Sequence, residues 1–473
     1  MTIDLDATHK EYDEFLPLWN KIDDICEGKK LKTYLIKLNP GDISEENILR
    51  NKQYYERAVF YAISGYTCRG MLGMLFRKEP VMSVDSGLKY VEKNIDGKGI
   101  SIYQQSQDVC KDLIKKGRCG LWVDFPETDG NTSKLDIKNL KVFSTVKKFD
   151  AEQIINWSVE TQGAKIYLSK VLLSYTETDY DNEDVEVRLE LSIEENTYTV
   201  KKYIKTVNSS EWELTQNYVP KDSKGNTWNE IPFLFVGAET NTHLVDQPPS
   251  LDIVRINIGH WNNSAAYEDS IWFAGQVQPW MSGISEEYLK MMSDANMYVG
   301  SGRLLGVPSG EQFGFAQSKP NQAMKEAMLD KINMMIGLGA MFLQPGSAVK
   351  TATQSEGEKE IRHSILSLIA SNSSEAYEQV LIWMSMYMGI NEDNLEYKIS
   401  QEFVKPEATS ADLKEIVASL LQGVIPFTDY VKWCQKYGYI DGSKTSEDVA
   451  EEVGWNLALN TPNLEDDDDG VED

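Results

Sequence analysis

The sequence predicts an α+β chain, on three observations. Stretches at 8–27, 45–75, 101–116, 251–272, 321–337 and 353–388 repeat apolar residues every three or four positions, the period of an amphipathic helix. Between 140 and 240 the period shortens to two, as half-buried strands require. After 248, two long helical stretches are separated by a compact insert bearing Gly and Pro, and a shorter helix and a Gly-rich loop stand between that insert and the second long helix. This order suits a subunit that stands beside copies of itself around an axis.

Composition sets bounds. The 473 residues fit about three domains, and 41% hydrophobic residues supply real cores. Lys+Arg is 47 against Asp+Glu 74, a formal charge of −27. Proteins that grip nucleic acid through its phosphates carry a basic face, and none is advertised here. A contact with DNA is expected to be weak or confined to a small band. Cys26, Cys68, Cys110, Cys119 and Cys434 are odd in number and widely spaced, with no CxxC pair. They read as reduced and mostly buried thiols, which implies a cytoplasmic origin. The first residues, MTIDLDATHKEYDEF, lack a signal-peptide pattern. No window approaches the ~20 apolar residues of a membrane span.

Element by element, Tyr12, Phe15, Trp19, Ile22 and Cys26 share one face of the helix at 8–27. LKTYLIKL (31–38) reads as a short strand ended by Asn39-Pro40-Gly41. Ser44 caps a helix from 45 to 75 through Tyr54, Tyr55, Ala58, Val59, Ala62, Ile63, Tyr66 and Met71. The helix at 101–116 turns Ile102, Val109, Leu113 and Ile114 inward and stops at Gly117; 119–126 is a buried strand. Strands at 165–177, 185–193, 197–207, 211–219 and 231–238 form one antiparallel sheet module.

Pro248-Pro249-Ser250 then stops the chain and caps the helix at 251–272, about 33 Å long. Leu251, Val254, Ile258, Trp261 and Ala265 form its apolar seam; Asp252, Arg255, Asn262, Asn263 and Asp269 take the other side. Residues 273–320 mix an extended segment, a short helix (SEEYLKMM) and Gly-rich sequence with short strands. The helix at 321–337 carries Met324, Met328, Ile332, Met335 and Ile336; the methionines suit an adaptable interface or core filling equally. Gly337, Gly339, Pro345 and Gly346 exclude regular structure over 337–352. The last long helix, 353–388, spans about 50 Å with Ile361, Ile365, Leu368, Ala376, Val380, Trp383 and Tyr387 on its face. A strand at 395–403, three helices over 410–460 (the last SEDVAEEVGWNLAL) and an acidic, disordered tail complete the chain.

Catalytic signatures are missing. There is no GxxxxGK[ST], HExxH or GxSxG, and GSGRLLG (300–306) is out of register for a dinucleotide loop. DYDNEDVE (179–186) lacks the glycine and glutamate of a calcium loop and reads as a hairpin turn. His9, His243, His260 and His363 are far apart, and no carboxylate spacing supports two-metal chemistry. No catalytic residue, metal ligand or cofactor site is predicted.

Three segments taken together, YYERAVFYAISGYTCRGMLGMLFRKEP (54–80), NIDGKGISIYQQSQDVCKDLIKKGRCGLWVDFP (94–126) and QPPSLDIVRINIGHWNNSAAYEDSIWFAG (247–275), resemble the portal proteins of tailed bacteriophages, specifically a portal-like family long catalogued as a domain of unknown function. Gly-Arg-x-Gly-x-x-Val-Asp-x-Pro runs from Gly117 to Pro126, and Arg77-Lys78-x-Pro80 closes the first segment. The specificity lies in their joint order across nearly the whole chain. The resemblance implies a portal fold: a mainly helical wing with an antiparallel sheet module, a helical stem, a small α/β clip and a helical C-terminal crown. It places the wing at 1–247, a stem helix at 248–272, the clip at 273–320 and a second stem helix at 321–337. The tunnel loop follows at 338–352, the long wing helix and returning strand at 353–409, the crown at 410–460 and the disordered tail at 461–473. It implies a noncatalytic homo-oligomeric ring, twelve copies in assembled heads, at one capsid vertex of the virion and assembled in the host cytoplasm. Its partners would be the terminase, the tail adaptor, the major capsid protein and double-stranded DNA in the lumen, with no membrane. An acidic lumen repels the duplex, so Lys350, with Gln344 and Ser347, is the candidate phosphate-facing group of the tunnel loop; an ordinary exposed lysine is the alternative. The rival functions are a metal-dependent hydrolase using clustered carboxylates and another capsid or tail component.

Overall fold

The computed structural model describes residues 4–125, 143–178, 184–205, 211–283, 285–294, 310–317, 319, 322–339, 352–390, 394–403, 410–456 and 461–462. They fall into two compact units, 1–401 and 402–473, with mixed helix and antiparallel sheet in the first. The α+β class is as predicted.

Helix α1 (Lys10–Glu27) begins where the His9 ring accepts from the Glu11 amide (3.2 Å) and ends at Gly28, whose φ of 71° a side chain would resist. Tyr12, Phe15, Trp19, Ile22 and Cys26 are all buried. Residues 31–38 make no strand; Leu31–Tyr34 form one 3-10 turn whose carbonyls are taken by distant side chains, Leu31 O by Trp261 Nε1 (3.3 Å) and Tyr34 O by Asn262 Nδ2 (3.0 Å). The helix expected over 45–75 is two, α2 (Glu45–Arg57) and α3 (Ile63–Leu75), parted by extended backbone at Ala58. Val59, Phe60 and Tyr61 are indifferent helix formers. The carbonyls opened by the break are satisfied from afar: Ser264 Oγ donates to Val59 O (2.8 Å) and Asn257 Nδ2 to Tyr61 O (2.9 Å).

After β1 (Val81–Ser83), helix α4 (Ile102–Lys116) is held by a capping box between Ser101 and Gln104. Ile102, Val109, Leu113 and Ile114 are fully buried. Lys115 and Lys116 are buried too, but Asp23 and Glu27 pair with them and tie α4 to α1, while Glu152, in the 3-10 turn Ala151–Gln153, pairs with Lys116. Gly117 (φ 78°) turns the chain into β2 (Arg118–Asp124), buried from Arg118 to Val123.

Two sheets replace the single module expected. β3 (Thr145–Asp150) pairs antiparallel with β2. β4 (Ile154–Gln162), β5 (Lys165–Thr178), β6 (Asp184–Glu194), β7 (Thr197–Lys205) and β8 (Glu213–Tyr218) form a five-stranded antiparallel meander. β9 (Phe233–Gly237) leaves that meander and pairs with β2, giving the order β3–β2–β9. Its run is apolar on both faces, so it needs cover on both sides, and α4 with the long helix Ala352–Met388 packs there. Neither β3 nor β4 was anticipated, because charged pairs such as Lys147-Lys148 blur the two-residue period.

The second half of the unit runs α5 (Leu251–Gly275), β10 (Gln278–Ser282), α6 (Glu286–Asp294), β11 (Gln312–Ala316), α7 (Gln322–Leu338), α8 (Ala352–Met388) and β12 (Glu396–Lys398). β10 and β11 pair antiparallel, from Gln278 opposite Ala316 to Ser282 opposite Gln312. The returning strand shrinks to β12, which pairs with β1. On α8 the face is rotated from that expected. Ala376, Val380, Trp383 and Tyr387 are buried, but Ile365 and Leu368 are exposed, and Leu366, Ile369 and Ala370 point inward instead.

The second unit holds α9 (Ser410–Leu421), α10 (Phe427–Tyr437) and α11 (Ser446–Val453) around Leu420, Phe427, Val431, Val449 and Ala450. The helix expected to continue to 459 stops because Gly454 is left-handed (φ 67°). β13 (Trp455–Asn456) then pairs with β14 (Thr461–Pro462), so the first two residues assigned to the acidic tail are ordered. Residues 463–473 lie outside the described residues.

Candidate functional site

Helix α5 organises the region singled out by the sequence. Four helices of its own unit, α1, α2, α3 and α7, pack around it. On one side Trp261 and Ala265 are buried against Leu35 and Tyr54, and Phe60 meets the Trp261 ring edge-on at 5.3 Å. Next to these, Ser64 Oγ donates to Asn257 Oδ1 (2.9 Å) while the Asn257 amide reaches the α2–α3 linker, so a fully buried asparagine is satisfied. On the third side Ile253 and Ile256 pack on Ile332 and Met335 of α7. Gly259 faces the same helix, where a Cβ would lie 3.0 Å from Cε of the flexible Lys331 side chain. At about 100° per residue, the Trp261–Ala265–Asp269 row and the Ile253–Ile256–Gly259 row stand on opposite sides of α5.

Of the predicted seam, Leu251, Val254, Trp261 and Ala265 are buried and Ile258 is half-buried. The polar side is not open to water along its whole length. Asn262 bridges Tyr34 O and the Ile36 amide (2.9 Å). Asp269 is buried and accepts from Arg50 at both oxygens and from Arg57 (2.8 Å). Burial opposes its ionisation, but the two guanidiniums outweigh that and hold the carboxyl below its usual range. Asp252 and Arg255 remain exposed, 3.3 Å apart. Sequence reading passed over Arg50 and Arg57; their signal was two arginines seven residues apart on one helix, and no partner lies near them in sequence.

His260, on the α7 side, is almost fully buried, and neither ring nitrogen meets a hydrogen-bond partner among the described residues. Burial, and to a smaller extent Lys331, pushes its pKa below 6.5. The imidazole is therefore held neutral between α5 and α7. At the far end of the pair, Gln317 Nε2 donates to Ala274 O (2.9 Å), fixing the chain leaving β11 against the end of α5.

Where α5 begins, a small apolar cavity of about 70 Å³ is lined by Cys68, Met71, Ile114, Ile253 and Leu366 among others. It carries no converging polar groups. Among the described residues no three His, Cys, Asp or Glu side chains are grouped to hold a metal ion, and no helix is long and apolar enough to cross a membrane. The five cysteines are buried free thiols. Gln344, Ser347 and Lys350 lie outside the described residues.

A family described as a domain of unknown function, DUF4055, matches residues 249–388, the span from α5 to the end of α8. No curated protein matches the chain. A solved chain similar to this one comes from the neck of an empty GTA particle computed with C6 symmetry; it is 11% identical, with 79% of this chain and 89% of that chain covered and a TM-score of 0.41.

Proposed function

We propose that this chain is a portal subunit: one member of a closed ring at a single capsid vertex that conducts double-stranded DNA and docks first the packaging terminase and then the tail adaptor. The observation that carries the reading is the order within 251–388. Two helices, α5 and α7, lie side by side; the small β10–β11 unit follows the end of one and precedes the other; the 37-residue α8 comes next. A compact cap on paired rods is the arrangement that the portal-like sequence segments imply for stem and clip, and the matched family spans the same stretch.

In this reading the β10–β11 unit is the docking end, and residues 338–352 approach the duplex, with Lys350, Gln344 and Ser347 as the groups nearest its phosphates. The remainder of the first unit is the wing and the second unit the crown. The chain performs no chemistry: energy for translocation belongs to the terminase, and a surface rich in carboxylates keeps DNA from adhering. The ring stands in the virion, held by the major capsid protein.

Negative-stain imaging of purified protein, with native mass, tests the proposal. A closed ring with a central hole is expected. Monomers under every assembly condition, a helical tube or an icosahedral lattice would overturn it. Calorimetry with Mg²⁺ or Mn²⁺ separates the hydrolase alternative, which requires a specific divalent-metal site.

A further inference from the structure

We infer that neighbouring copies dock through unlike faces on the two flanks of α5, the arginine–aromatic face of one copy receiving the carboxylate face of α7 from the next; the inference rests on the ring reading above.

On the first face two arginines meet one buried carboxylate. Arg50 and Arg57 share the one carboxylate of Asp269, and the buried Arg57 Nε has no acceptor among the described residues. The guanidiniums lie over rings at the end of α5, Arg50 4.8 Å from the centroid of Phe273 and Arg57 4.4 Å from that of Trp272. These stacks hold the charges in place. Yet Phe273 and Trp272 keep 47% and 37% of their surface in water. A fixed positive charge beside half-open aromatic rings suits an acidic, apolar partner.

The second face has that chemistry. On the side of α7 turned from α5, Glu326 and Asp330 stand one turn apart, flanked by Leu329 and Met334, which are 52% and 56% exposed. Neither carboxylate meets a cation among the described residues. Like charges at this spacing disfavour an isolated helix slightly, so the pair gains from an arriving cation.

The two faces lie on opposite flanks of α5, because α2 packs on its Trp261–Ala265 side and α7 on its Ile253–Gly259 side. A contact between unlike faces is head-to-tail and leaves each copy with one face open at either end; such contacts close into rings when the rotation permits. At a charge of −27 per chain, copies repel at long range, so a local contact of opposite sign is what lets them meet.

The test reverses the exposed acidic side, E326K/D330K, and follows assembly against concentration by native mass alongside thermal melting of the monomer. The monomer should melt as wild type does, while the concentration needed for rings rises roughly tenfold or more. E326Q/D330N, which removes charge without adding any, should shift assembly less and in the same direction, and it decides the matter if the reversal melts early. Rings forming at wild-type concentration in both variants would overturn this docking and leave the ring reading standing. A wild-type chain that never assembles would remove both.

Discussion

The β2 strand with its α4 and α8 cover, and the α5–α7 pair with its β10–β11 cap, belong to one unit and differ in completeness. Around β2 every residue from Arg118 to Val123 is buried, and Trp122 Nε1 donates to Tyr198 Oη (2.8 Å) inside that core. Along α5 and α7 the inner contacts are as well made, but Trp272, Phe273, Trp280, Leu329 and Met334 stay substantially exposed. The first region is finished within one copy. The second leaves apolar surface open within one copy, as interaction surfaces do.

That contrast can be broken, most forcefully from the finished side. Trp122→Ala should cost about 3–5 kcal/mol, read as a lower denaturation midpoint whether or not the protein is assembled. Asp269→Ala should cost about 2–3 kcal/mol, since it strands two partly buried guanidiniums; Asp269→Asn should recover only part of this. If Asp269→Ala melted like wild type, the polar side of α5 would be as open as the sequence suggests.

Acid should act on the α5–α7 pair before β2. His260 is neutral in the folded state with its pKa below 6.5. The unfolded chain therefore takes up the proton first, and stability falls as pH drops from about 6.5 toward the folded value, at no more than about 1.4 kcal/mol per pH unit. His260→Phe should flatten that slope, measured by denaturant titrations at pH 7 and 5.5. The smallest effect belongs to the open face: Leu329→Ser should change monomer stability by less than about 0.5 kcal/mol. A larger change would mean that the α7 surface is already packed within the single chain.

Sequence reading served where burial follows local period. The inward faces of α1 and α4 were legible residue by residue, and the limits of α5, α7 and α8 fell within a few positions. It failed where a partner lay far along the chain. Asn257, Ser264 and Asp269 are polar and broke the apolar pattern, yet they are buried because Ser64, the α2–α3 linker, Arg50 and Arg57 satisfy them. The break at Ala58 was hidden for the same reason: its carbonyls are bonded from about 200 residues away. The exchange of β9 between sheets was unreadable because alternation shows that a strand exists and not which neighbour it chooses. At the site, the seam was visible and the arginine pair beside it was not.

The bonds between α5 and the segment 31–64 span as many as 230 positions. At about 5–20 residues per second, the turn at 31–34 and the broken α2–α3 stretch leave the ribosome about 10–40 s before the helix that satisfies them. During that interval their open carbonyls and the sticky rings of Tyr54 and Phe60 have no permanent shelter. Nascent chains of this protein therefore carry residues 31–64 without their native partners until α5 has been made.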